Sequence, residues 1–183
     1  MKKQSSHNSL FLCLIVLFTC VPRSWAGACD SITLPTQIKG TLEREFAGWN
    51  VVTPELLTSS DDRQIWNENY SSECPGIIRG HFTGPQKVGY AINLIRGSGK
   101  TLEQQIVFFG PTREGFKKRV LDPPSHVDVV TVLRKFAPGV YKSPDSGRSV
   151  RVGFDTIGVS EIEAGTVVYY WDGKEFSHIE ASV

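Results

Sequence analysis

The order of apolar and polar positions divides the chain into three zones. Leu10 to Cys20, "LFLCLIVLFTC", is an apolar run of 11 residues. Further on, Leu34, Ile38, Leu42 and Phe46 recur every four residues, which predicts a helix with one apolar stripe. Pro35 suits its first turn and Gly48 the position past its end. Lys39, Glu43 and Arg44 lie off the stripe. That polar face is not strongly basic, so the helix is expected to pack on a core rather than lie on a membrane.

"GWNVV" (48–52) reads as a short strand, and the polar stretch Thr53 to Tyr70 as irregular, apart from Leu56 and Leu57. From Gly76 onward the period shortens to that of strands. Segments 76–82, 88–96, 102–110, 115–121, 127–136, 150–154, 158–164, 166–171 and 175–181 are rich in β-branched and aromatic residues, with Gly and Pro between them. "PGVY" (138–141) reads as a turn entering a strand. Asp172-Gly173 marks a hairpin between the last two segments. The expectation is a mainly β (α+β) fold: an N-terminal amphipathic helix followed by an antiparallel β meander, in a single domain.

The first zone bears on the compartment. Its 11 residues fall short of the roughly 20 that span a bilayer. Lys2 and Lys3 precede the run and Ala26-Gly27-Ala28 follows it, the pattern of a signal peptide over 1–28. Cleavage would leave residues 29–183 as one exported domain, periplasmic or extracellular. The chain carries 20 Lys and Arg against 19 Asp and Glu. Lys2, Lys3 and Arg23 would leave with the leader, so the remainder is slightly acidic. Without a basic stripe, nucleic acid is a poor partner.

Cys13 and Cys20 also belong to the leader, leaving Cys29 and Cys74. In an oxidising compartment a disulfide is the default. The alternative is a lipid anchor on Cys29, for which the preceding "WAGA" is only partly a lipobox.

"RGSGKT" (96–101) ends like a nucleotide-binding P-loop. The first glycine of G-x-x-x-x-G-K-[ST] falls on Leu94, inside an apolar strand pattern, and the following segment is strand-like rather than helical. The stretch is therefore expected to be a hairpin turn, with Gly97 and Gly99 at positive φ and no nucleotide bound.

"CPGIIRGHFTGPQKVGYAINLIR" (74–96) resembles a degenerate FG-GAP or VCBS-type segment, with Phe82, Gly84 and Tyr90 at the aromatic, glycine and tyrosine positions. "VVYYWDGKEFSHI" resembles the ending of secreted bacterial proteins that carry such a segment. The family loop implies calcium held by oxygen ligands on alternate residues. Here those places fall on His81, Thr83, Pro85 and Gly89, none a carboxylate, so no metal is expected. The family also implies a propeller. A minimum of four blades at about 40 residues each needs about 160 residues, and one segment matches, so one compact module is expected.

The remaining candidates are sparse. His81, His126 and His178 are far apart in sequence. Glu161 and Glu163 are expected on one face of a strand, as surface acids or as a carboxylate pair. In "YYW", Tyr169 and Trp171 share one strand face and Tyr170 joins Val168 on the other, so the triplet is core or a surface for a protein or glycan. The expected function is a non-catalytic exported module, with no catalytic residue, cofactor or metal. The alternatives are a small envelope hydrolase using Asp155, Glu161 or Glu163, and a secreted enzyme inhibitor presenting "KSPDSGRS" (142–149) on a protruding loop.

Overall fold

The computed structural model describes residues 27–181. The expected leader lies outside them except for Gly27 and Ala28. No helix among the described residues is long and apolar enough to cross a membrane.

The order of elements is α1 (Thr36–Glu45), β1 (Asn50–Val51), α2 (Ser60–Asn69), β2 (Ile77–Gly80), β3 (Gly89–Arg96), β4 (Glu103–Thr112), β5 (Gly115–His126), β6 (Val132–Phe136), β7 (Gly139–Lys142), β8 (Ser149–Val152), β9 (Thr156–Ser160), β10 (Thr166–Trp171) and β11 (Phe176–Ala181). The fold is mainly β and a single domain, as the patterning predicts. The reading of residues 53–70 is corrected. The stretch expected to be irregular after Thr53 holds α2. Ser59 caps it, its hydroxyl accepting from the Asp61 and Asp62 amides, and Asp61 and Asp62 supply negative charge to the first turn. Trp66, on its inner face, is fully buried.

All strand pairings are antiparallel. The first sheet runs β1-β3-β4-β5, and β2 shares the free edge of β3 with β1. The second runs β11-β10-β9-β6, so β6 skips two strands to pair with β9. β7 and β8 form a separate hairpin. The Leu133 amide donates to the Pro75 carbonyl at 2.7 Å, bringing β6 alongside the start of β2.

Strand alternation stacks these parts in layers. Tyr90, Ile92, Leu94, Val107 and Phe109 point outward from the first sheet and bury Leu34, Ile38 and Phe46 of the α1 region. Ile78, Ala91, Ile106 and Phe108 point inward and meet Leu133, Ile157 and Val159 of the second sheet. On the far side of that sheet, Val168, Tyr170 and Ile179 pack against Val152 of the β7–β8 hairpin. The first sheet is thus covered on both faces, which explains why β3 is buried from Gly89 to Ile95.

Cys29 and Cys74 form a disulfide across a sequence separation of 45. In that state the Cys29 sulfur has no valence free for a thioether lipid. The turn at Gly99–Thr101 joins β3 to β4 as a hairpin connection, with Gly97 and Gly99 at φ 78° and 52°.

Candidate functional site

The two sheets meet imperfectly along one seam. Sheet edges β5 and β11 approach each other there without pairing. On the seam side, β10 and β11 present three cross-strand rows: Trp171 with Phe176, Tyr169 with His178, and Val167 with Glu180. Strand β5 is irregular opposite them. Its register against β4 shifts on both sides of the Ile106–Asp122 pair, and Pro123-Pro124 follows. Such bulges re-aim side chains. Here the neighbours Leu121 and Asp122 both turn inward, Leu121 onto the inter-sheet core and Asp122 into a cleft.

The cleft has a volume of about 650 Å³. Its floor carries a closed polar network. The Gln104 amide nitrogen donates to Asn93 Oδ1 at 2.8 Å and to Thr131 Oγ1 at 2.9 Å, and its oxygen accepts from the Thr131 amide at 3.2 Å. The walls carry Asp122, Asp145, Glu161 and Glu180, with Tyr169 between them. Among the described residues, no lysine or arginine lines it. Burial pushes the Asp122 carboxyl above its ordinary range, and nearby His178 pulls the other way. Burial, with a smaller contribution from the Asp122 charge, raises the Tyr169 hydroxyl to about 12.

Tyr169 therefore makes a titration signature. Its neutral form is favoured by the fold, so this contribution to stability is complete below pH 10. It is lost as pH rises towards 12, because the unfolded tyrosine sheds its proton first. Allowing for solvent screening at a half-exposed group, the effect is of order 1 kcal/mol. Ultraviolet absorbance should show a tyrosine phase near pH 12 that Tyr169→Phe removes. Survival of that phase in Tyr169→Phe, or its absence from the unaltered protein, would contradict the placement.

The aromatic triplet, read as core or as a binding surface, is divided three ways. Tyr169 lines the acidic cleft. Tyr170 is buried beneath the β7–β8 hairpin, so it offers no surface. Trp171 lies at the opposite end of the seam, in a recess of about 420 Å³ with Lys87, Lys117, Arg119 and Phe154. The Arg119 guanidinium sits 5.1 Å from its ring centre.

The candidate carboxylates are also separated. Strand β9 ends at Ser160, so Glu161 and Glu163 lie in the following turn rather than on one strand face, and Glu163 has φ 60°. That turn closes with the Glu161 amide donating to Gly165 O at 3.1 Å. Asp155 stands at the other end of β9, about 20 Å away by strand rise, accepting the His81 amide at 2.8 Å. Of the three acids, Glu161 alone reaches the cleft. The loop 142–149 folds on itself, with the Ser143 amide donating to Arg148 O at 2.8 Å. Its Pro144 and Asp145 form part of the cleft wall.

His81, Thr83 and Pro85 lie in the β2–β3 loop, and Gly89 begins β3. Among the described residues, no three His, Cys, Asp or Glu side chains gather into a group that could hold a metal. Asp122, Glu180 and Gln104 went unnoticed in the sequence. The Asp-Pro-Pro step directly after the strand-like run 115–121 was the available signal, since proline at a strand marks an edge or a bulge, and β5 in fact continues through it to His126. Comparison of the chain with protein-family models, curated proteins and solved structures finds no match.

Proposed function

We propose that the chain is an exported, non-catalytic binding module whose ligand is a cationic segment of a partner protein. The observation that carries this reading is the single-signed lining of the cleft: among the described residues, four carboxylates, no lysine or arginine, and a tyrosine ring. A lysine or arginine side chain entering there gains charge pairing and a ring face for its cation. The leader-like pattern of residues 1–28 and the Cys29–Cys74 disulfide support export, because disulfides persist in oxidising compartments.

The reading is tested by calorimetry with a lysine-rich peptide at low and moderate salt. Asp122→Asn with Glu161→Gln is expected to weaken binding more than tenfold and to flatten its salt dependence. Equal affinity for neutral glycans, unmoved by salt or by these changes, would contradict it.

A second reading, hydrolysis by carboxylates, has one observation in its favour. Asp122 is a carboxyl raised by burial in a cleft that other carboxylates share, the condition of a general acid. It predicts turnover of a peptide or glycan that Asp122→Asn abolishes.

A further inference from the structure

The turn Glu161–Gly165 has a second side. Behind it lies a separate hollow of about 260 Å³, roofed by α2 and floored by β6. At about 30 Å³ per water molecule, it has room for a small organic molecule.

Two features of its lining are unexplained by the chain itself. Arg134 holds its guanidinium 4.5 Å from the Tyr70 ring centre and 5.1 Å from that of Phe136. None of the ion pairs among the described residues involves it. Glu161 and Glu163 line the same hollow, yet neither comes within ion-pairing distance of it. Furthermore, Arg134 Nε is a buried donor without an acceptor, and so is Nε1 of the fully buried Trp66 beside it. Buried donors are rarely left unpaired, and an exception calls for a cause. Here two of them belong to neighbours around one hollow.

We propose that this hollow binds a small zwitterion of the α-amino-acid type. Its carboxylate meets the Arg134 fork, a planar donor set matched to that group and approached by the two rings. Its ammonium faces Glu161 and Glu163 on the opposite wall. The 161–165 turn stands between this hollow and the acidic cleft, with Glu161, Ala164 and Thr166 bordering both.

The test is a calorimetric and tryptophan-fluorescence titration of the disulfide-bonded domain with free amino acids. N-acetylated and C-amidated derivatives serve as the controls. Saturable binding is expected, weakened at least tenfold by blocking either end. Arg134→Lys keeps the charge and loses the fork, and is expected to lower affinity at least tenfold with an unchanged unfolding midpoint. Glu163→Gln is expected to weaken binding of the free amino acid but not of its N-acetyl derivative. Asp122→Asn, in the other cleft, is expected to leave it unchanged. No saturable binding, equal binding of the blocked derivatives, or full affinity in Arg134→Lys would overturn the proposal.

Discussion

Cys74→Ser is expected to lower the unfolding free energy by about 4 kcal/mol. The bridge closes a loop across 45 positions, and restricting a loop of that length in the unfolded chain is worth about that much in the chain-entropy account. The position adds to the effect. Cys74 is buried in the cluster that α1 makes with the first sheet, and it lies three residues before the start of β2. The bridge therefore ties the segment before α1 to the edge shared by β1 and β2. Urea denaturation of the bridged protein and the variant measures the difference. A loss below about 1 kcal/mol would show that the bridge merely decorates a core that holds without it.

The second large effect is expected at Phe108. Phe108→Ala should cost about 3–5 kcal/mol, the range for emptying a fully buried aromatic site. Its ring is the centre of the inter-sheet core, with edge contacts to Phe82 at 5.8 Å and Phe176 at 4.7 Å between centroids. The ring also lies where side chains are absent. A Cβ on Gly89 would fall 2.6 Å from it, and one on Gly110 2.9 Å. A neighbouring side chain thus has little room to collapse into the vacancy, and collapse is what makes some such losses mild. Thermal and urea unfolding should agree on the cost. A value near 1 kcal/mol would mean that the two sheets are held mainly at their margins.

The absence of a side chain at Gly89 leaves the space that the Phe108 ring uses. A carboxylate at that position would be driven into the inter-sheet core.

The fold was legible where one period ruled a whole segment. The Leu34–Phe46 stripe became α1 docked on the first sheet, and the alternation in 166–171 correctly put Tyr169 and Trp171 opposite Val168 and Tyr170. Helix α2 was missed because its outer face is polar and its inner face is short, although Ser59 with Asp61 and Asp62 spelled out a helix start. The pairing of β6 with β9 was illegible for a different reason. It is decided by which faces remain uncovered once the first sheet has formed, and no local pattern records that. The acidic cleft follows the same logic. Asp122 and Glu180 are far apart in the sequence and become neighbours of one space because β5 bulges towards the seam. The hollow behind the 161–165 turn was hidden twice over, since it needs both the missed helix and the turn read as a strand.

The central claim is that the acidic cleft is where a cationic partner segment binds. Amide chemical-shift mapping with a lysine-rich peptide at low salt tests it most directly. The account predicts saturable shifts confined to Asp122, Ser125, the 161–169 stretch and Glu180, abolished by Asp122→Asn with Glu161→Gln. Shifts centred instead on Trp171 and Arg119, or none at all, would contradict it.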